Sequence, residues 1–259
     1  MTNSLTLAVF TDLDGTLLDH DTYSWDAAQP ALDRLARQQC SVILASSKTA
    51  AEIVLLQDSM ALSGQPALVE NGSGLIGLVG KHSPRTYTAL RGILDLLPET
   101  LRAHFRGFGD MSADDVSSLT GLSPKAAALA RTRDYSEPGL WSGGEEELRT
   151  FCTALAQHGV SAQRGGRFLT LSFGRTKADA MTHVIDALKP DLTLALGDAP
   201  NDVEMLERAD LGVIVANPHH APLPLLAGER DGRIIRTRDP GPVGWNIAVN
   251  EILDRFFPE

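Results

Sequence analysis

The chain has 259 residues, 43% of them apolar, and its 23 basic side chains stand against 33 acidic ones for a formal net charge of −10. That length can bury a substantial core in one large domain or two smaller ones. An acidic chain with no clustered Lys/Arg tract makes a poor partner for nucleic acid or an anionic membrane, and no apolar run reaches the ~18 residues of a membrane span.

Met1–Phe10 carries no basic residue ahead of its apolar stretch, so it does not read as a secretory signal. The two cysteines, Cys40 and Cys152, suit a reduced, cytoplasmic protein without a disulfide framework. Leu5–Phe10 reads as a buried strand that stops at Thr11-Asp12-Leu13-Asp14-Gly15-Thr16. Ala28, Ala31, Leu32 and Leu35 then fall at helical spacing, with Pro30 tolerable in the first turn. Val42–Ala45 predicts a second strand ending in Ser46-Ser47-Lys48, after which Thr49 and Glu52 have capping-box spacing. A hairpin is expected from Ala67 to Val79 around Asn71-Gly72.

The pattern changes near Arg85. Leu90, Ile93, Leu94 and Leu97 share a helix face, a short helix is expected near Val116, and Ser123-Pro124 opens another. A helix over Glu145–Gln157 precedes two strands joined at Gly165-Gly166. The alternation then resumes. Thr176 and Asp179 open a helix, and Thr193–Leu196 runs into Gly197-Asp198. A helix from Asn201, a strand over Leu211–Val215 and a final helix carrying Trp245, Val249, Ile252 and Phe256 complete the chain. Strand alternating with helix implies a parallel sheet covered on both faces. The expectation is an α/β fold with a Rossmann-like parallel-sheet core, residues 1–84 and 174–259, and an inserted α/β cap domain, residues 85–173.

In such sheets ligands gather beyond the carboxyl ends of the strands. Four polar elements are placed there: Asp12/Asp14, Ser46, Lys177 and Asp198 with Asn201/Asp202. Each has an ordinary alternative taken alone. The Asp/Gly run could be a turn, Ser46 a helix cap, Lys177 a solvated helix residue, and Asp198, Asn201 and Asp202 caps and turn formers. Taken together at successive strand-to-helix junctions, they suit phosphoryl transfer, which needs positioning and charge neutralisation.

A carboxylate such as Asp12 can attack phosphorus, and Asp14 can serve as acid and then base. Thr16 is expected to hold Asp14 by a hydrogen bond. Ser46 offers a hydroxyl to a phosphoryl oxygen, and Lys177 a charge to both Asp12 and the transferring group. Neighbouring carboxylates call for a cation, and oxygen-only ligation suits Mg2+. His219-His220, in a Pro-rich loop, reads as a surface feature.

A receiver-type signalling module would use similar residues, but at about half the length and with no counterpart of Asp14.

The run Asp12-Leu13-Asp14-Gly15-Thr16, then Ser46, Lys177 and Gly197-Asp198-Ala199-Pro200-Asn201-Asp202 resembles the four motifs of the haloacid dehalogenase superfamily, in order. The separation of 131 positions from Ser46 to Lys177, with the Glu70-Asn71-Gly72 turn, resembles its subclass with a large α/β cap.

A closer resemblance, to the mannosyl-3-phosphoglycerate phosphatase family, rests on four stretches. They are Ser46–Thr49, Leu119–Ser123 with Arg133–Pro138, Gly165–Phe168, and Gly241–Asn246. The resemblance implies Asp12 as nucleophile and Asp14 as acid/base, assisted by Ser46 and Lys177. It implies Mg2+ at Asp12, Asp14 and Asp198, with Asp202 a fourth candidate, and an anionic phosphorylated sugar or glycosyl phosphoglycerate as substrate. A phosphomutase is the alternative within the same superfamily. Ala178 and Ala199 depart from the residues more frequent at those positions, Gly and Ser.

Arg133, Gly166 and Arg167 are the expected substrate contacts. Arg167 is the leading candidate because it follows a bare Gly165-Gly166 turn and could grip a carboxylate bidentately; a solvated strand-end arginine is the ordinary alternative. Oligomeric state is expected to be monomer or homodimer.

Overall fold

A computed structural model of the chain describes residues 5–78, 86–165 and 167–257. The first strands are β1 (Leu7–Thr11), β2 (Ser41–Ala45), β3 (Ala67–Val69) and β4 (Gly74–Ile76). A second group follows: β5 (Phe105–Gly107), β6 (Ser136–Trp141), β7 (Ser161–Gly165) and β8 (Phe168–Ser172). The chain then supplies β9 (Leu192–Gly197), β10 (Leu211–Ala216) and β11 (Ile234–Pro240).

Two sheets result, a seven-stranded one in the order β11-β10-β9-β1-β2-β3-β4 and a four-stranded one in the order β5-β6-β8-β7. The large sheet is parallel except for the β3–β4 pair, and the small one is antiparallel. The fold is thus a Rossmann-like α/β core with an α/β cap inserted between β4 and β9. The expected junction at 84/85 lies outside the described residues. No helix among the described residues is long and apolar enough to cross a membrane.

β1 lies at the centre of the large sheet and is buried along its whole length, as a parallel strand covered on both faces must be. Its side chains alternate between two cores. Leu7 and Val9 pack with Leu32, Leu35, Trp245 and Val249 beneath the helices Gln29–Arg37 and Gly241–Phe256. Ala8 and Phe10 pack with Met181, Val184, Met205 and Leu206 beneath the helices Lys177–Leu188 and Val203–Arg208. This double packing fixes the level at which β1 ends, and so the position of Asp12, whose N–H donates to the Leu196 carbonyl of β9 at 2.9 Å.

The capping boxes expected at Thr49/Glu52 and Thr176/Asp179 are both present and set the starts of the helices Ala50–Ser59 and Lys177–Leu188.

Trp245 is fully buried, and its indole N–H donates to Thr11 Oγ1 at 3.0 Å, joining the last helix to the end of β1. Trp245→Ala is expected to cost about 3–5 kcal/mol by leaving a cavity. Urea unfolding measures this directly, and a loss below about 1 kcal/mol would remove the residue from the core's main supports.

Candidate active site

At the carboxyl edge of the sheet, Lys177 is 1% exposed and its Nζ lies 2.5 Å from Asp12 Oδ1 and 2.7 Å from Asp202 Oδ1. Asp12, Asp198 and Asp202 are all buried, with ligand atoms within 4.8 Å of one another. Burial pushes the Asp12 carboxyl well above its ordinary range; Lys177 opposes that shift, while Asp202 and Asp198 add to it. Burial alone would lower Lys177, but the Asp12 and Asp202 carboxylates outweigh it and hold the ammonium above its usual value.

The oxygens of the cluster are unequally committed. Asp202 Oδ1 is taken by Lys177, and Oδ2 accepts the N–H groups of Asp198 and Ala199, both at 3.1 Å. Asp198 Oδ1 accepts from Thr16 Oγ1 at 2.7 Å, and its Oδ2 lies 2.8 Å from both Asn217 Nδ2 and His220 Nε2. Asp12 Oδ1 is held by Lys177, whereas Asp12 Oδ2 has no hydrogen-bond partner among the described residues.

Gly15, at φ +84°, is required here, because a Cβ would collide with the Asn217 amide and crowd Asp198 Oδ2. Three carboxylates against one ammonium leave two negative charges in a buried site, a charge and donor chemistry that fit a divalent cation with oxygen ligands.

Two expectations are corrected. Thr16 does not hold Asp14; its hydroxyl reaches Asp198, which the fold brings beside the β1 loop. Asp14 stands apart from the cluster, with its Oδ1 and Oδ2 at 2.7 and 2.6 Å from Lys48 Nζ. The Asp14 carboxylate raises the Lys48 ammonium although burial works against its charge. His219 and His220 are exposed, as expected, and the His220 ring also contacts Asp198. Nothing in the local sequence near His219-His220 marks this contact, which joins residues 22 positions apart.

Ser46 is buried and is not a helix cap, a task that falls to Thr49; its Oγ accepts the Lys48 N–H at 3.2 Å. Lys48 was visible in the sequence only as part of a motif.

The remaining candidates lie elsewhere. Arg133 is an anchor between cap and core. It donates to the Ser47 carbonyl at 3.2 and 3.3 Å and to Ser136 Oγ at 2.7 Å, and it pairs with Glu70 at 3.2 Å. Arg167 donates to the Leu119 carbonyl at 2.6 Å, at the β7–β8 turn. That turn is at the opposite end of β8 from Ser172, the end that leads back to the core, about 13 Å away at strand rise. Gly166 lies outside the described residues.

Glu70 was not singled out as a site residue, yet it is buried at φ +51°. Its oxygens accept the N–H groups of Asp134, Tyr135 and Ser136 and the Ser136 hydroxyl, at 2.7–3.2 Å.

A parallel sheet carrying a Lys-held carboxylate cluster at its carboxyl edge, beneath an inserted cap, defines a capped hydrolase. The chain belongs to the haloacid dehalogenase-like hydrolase family, which matches residues 6–210. It is 32% identical to a glucosyl-3-phosphoglycerate/mannosyl-3-phosphoglycerate phosphatase of Methanococcoides burtonii, over 95% of this chain and 97% of the relative. Among solved structures it resembles a hypothetical protein of Geobacillus kaustophilus (TM-score 0.68, 21% identity, 95% and 98% of the two chains). It also resembles the Synechocystis sucrose-phosphatase in complex with sucrose and phosphate (TM-score 0.62, 18% identity, 96% and 97%). At those identities the two structures speak to the fold alone.

Glu70→Ala leaves Arg133, whose side chain is 7% exposed, without its buried counter-charge and frees three backbone N–H groups. Removing one partner of a buried pair costs about 3–5 kcal/mol. Denaturant unfolding of the variant should show a loss on that scale, and a loss within 0.5 kcal/mol or so of zero would mean that the clasp does not hold cap to core.

Proposed function

We propose that the protein is a cytoplasmic, Mg2+-dependent phosphatase that cleaves the phosphate ester of a small anionic sugar through a phosphorylated Asp12. The observation that carries the reading is Asp12 itself, buried at the end of β1 with one oxygen fixed by Lys177 and the other open.

In the first step Asp12 Oδ2 bonds to phosphorus while the bond from phosphorus to the sugar oxygen breaks, and Asp14 gives that oxygen its proton. In the second, water attacks the aspartyl phosphate, Asp14 takes the water's proton, and the bond from phosphorus to Asp12 breaks. To reach the leaving oxygen Asp14 must give up Lys48, which frees that ammonium to face the phosphoryl group. Lys177 opposes the effect of burial on Asp12 and aligns its carboxylate, and the Ser46 hydroxyl would donate to a phosphoryl oxygen.

Asp12 and Asp198 are the residues that would hold Mg2+, which supplies charge neutralisation at the phosphoryl oxygens. Asp202, whose oxygens meet the Lys177 ammonium and the N–H groups of Asp198 and Ala199, serves as the counter-charge to Lys177.

The 32% identical relative supports a glycosyl-3-phosphoglycerate as substrate, mannosyl or glucosyl. The inserted cap, residues 85–173, supports substrate choice away from the chemistry, with Arg133 bonded to Ser47 in the Ser46–Lys48 loop. The free thiols of Cys40 and Cys152 support a reducing compartment.

A phosphate-release screen across sugar phosphates and glycosyl phosphoglycerates, with and without Mg2+, tests the substrate and the metal. Chelation is expected to abolish release, and Ca2+, with longer bonds and more ligands, is expected not to restore it. Asp12→Asn should be folded and inactive; appreciable turnover by that variant would sink the mechanism. Asp14→Asn should be slower by ~10²–10⁴, most clearly on esters with poor leaving groups, and near wild-type rates on those esters would take the proton-transfer role away from it.

A further inference from the structure

We propose that His20, Asp21 and His219 form a second metal site, distinct from the aspartate cluster, that binds a borderline transition metal of the Zn2+ class. The three residues come from two loops that the fold sets side by side, one after the β1 motif and one after β10. Their ligand atoms lie within 4.8 Å of one another, and all three residues are exposed. His219 Nε2 is 4.0 Å from Asp21 Oδ2, and the His20 and His219 rings stack with centroids 3.8 Å apart and planes at 16°.

Two atoms bound at about 2.1 Å to one ion stand at most about 4.2 Å apart. The two imidazoles must turn out of their stack to aim a ring nitrogen each at a common centre with Asp21, and their exposure leaves them room to do so. The side chains are available for this, because among the described residues none of them spends a ligand atom on a hydrogen bond. Asp14, Asp198 and Asp202 do so on both oxygens.

The backbones beneath them are pinned. Asp19 Oδ1 accepts the N–H groups of Asp21 and Thr22 and the Thr22 hydroxyl at 2.7–3.2 Å, and Asn217 Oδ1 accepts the His219 N–H at 2.9 Å. Ordering a metal there costs little backbone entropy.

Donor chemistry separates the two sites. Two imidazole nitrogens and one carboxylate suit Zn2+, Co2+ or Ni2+, with room left for water, whereas the aspartate cluster offers only oxygen and suits Mg2+. The site also has a structural consequence. His219 is flanked by Asn217 and His220, both of which contact Asp198 Oδ2 at 2.8 Å. An ion joining His219 to His20 and Asp21 would tie the loop that carries those two contacts to the loop that follows the Asp12 motif.

The test is metal binding by the tag-free full chain with Mg2+ in excess. Zn2+ is titrated by calorimetry, and Co2+ by its visible absorption, which reports nitrogen ligation. One ion per chain is expected. His219→Ala and Asp21→Asn should each weaken binding by at least about tenfold, the scale on which even outer partners of a metal ligand act. Asp12→Asn should bind as the wild type does. Binding unchanged in His219→Ala, binding lost in Asp12→Asn, or no ion bound would each overturn the proposal. None of these readings depends on phosphatase turnover, so the proposed activity can fail without the site failing, and the reverse.

Discussion

Three carboxylates buried at the end of a parallel sheet, against a single ammonium, set the terms for the rest of the structure. Asp12, Asp198 and Asp202 would repel one another out of such a position if the fold did not hold them there. Two features hold them. Lys177, fully buried in the first turn of its helix, bridges Asp12 and Asp202. Hydrogen bonds to Asp198 from Thr16 and Asn217, with His220 at the same oxygen as Asn217, share its charge among neutral or weakly basic groups. The strands that carry Asp12 and Asp198 are buried on both faces, so neither can retreat into solvent. The strain of assembling this charge is what a divalent cation would relieve, and of the three carboxylates only Asp12 has an oxygen without a hydrogen-bond partner among the described residues.

The second dependence runs from that cluster to the cap through Glu70. Its backbone N–H donates to the Lys48 carbonyl, and the N–H of Asn71 donates to that of Ser46. The Glu70 carboxylate meanwhile gathers the N–H groups of Asp134, Tyr135 and Ser136. One acidic residue therefore fixes the loop bearing Ser46 and Lys48 on one side and the entry to β6 of the cap on the other. Glu70, Asn71 and Gly72 are consecutive left-handed residues at φ +51°, +59° and +84°. For Glu70 and Asn71 that conformation is unfavourable by itself and persists because the surroundings over-determine it. A movement of the cap would pull on this turn, and the turn is bonded to the loop that bears Ser46 and Lys48.

Much of this arrangement was legible in the sequence because the central strands announce themselves. Apolar runs at Leu7, Val42 and Leu194, each ending in a polar cluster, locate three strand ends and hence Asp12, Ser46 and Asp198. The capping boxes at Thr49 and Thr176 locate the helices behind them. What escaped were pairings of distant residues and strands without the usual pattern. β6 reads Ser-Glu-Pro-Gly-Leu-Trp and lies inside its sheet, although proline and glycine argue against an interior strand. β11, with Arg236, Arg238 and Asp239, sits at a sheet edge where charge is tolerated and apolar alternation is lost. The partners of Asp14 and Thr16, Lys48 and Asp198, come from the loops after β2 and β9, the strands on either side of β1, and no local spacing encodes those pairings.

The same geometry bears on where a substrate's second anionic group would be met. The stretch 85–173 contains ten basic and ten acidic residues, so all of the chain's excess negative charge belongs to the remainder. A carboxylate approaching Asp12 is repelled by that remainder unless a cation stands nearby. Of the two cap arginines nominated, Arg167 is engaged with the Leu119 carbonyl at the far end of β8. Arg133 is already drawn against the core, with its guanidinium on Ser47, one residue from Ser46 and one from Lys48. Proximity favours Arg133, but its charge is balanced by buried Glu70. Lys48 is paired with Asp14, and in the proposed mechanism, where Asp14 moves to transfer a proton, that movement would release the Lys48 cation. Until Asp14 moves, its carboxylate balances the Lys48 ammonium, so in the proposed reaction that cation would face an anionic ester only once the pair had opened.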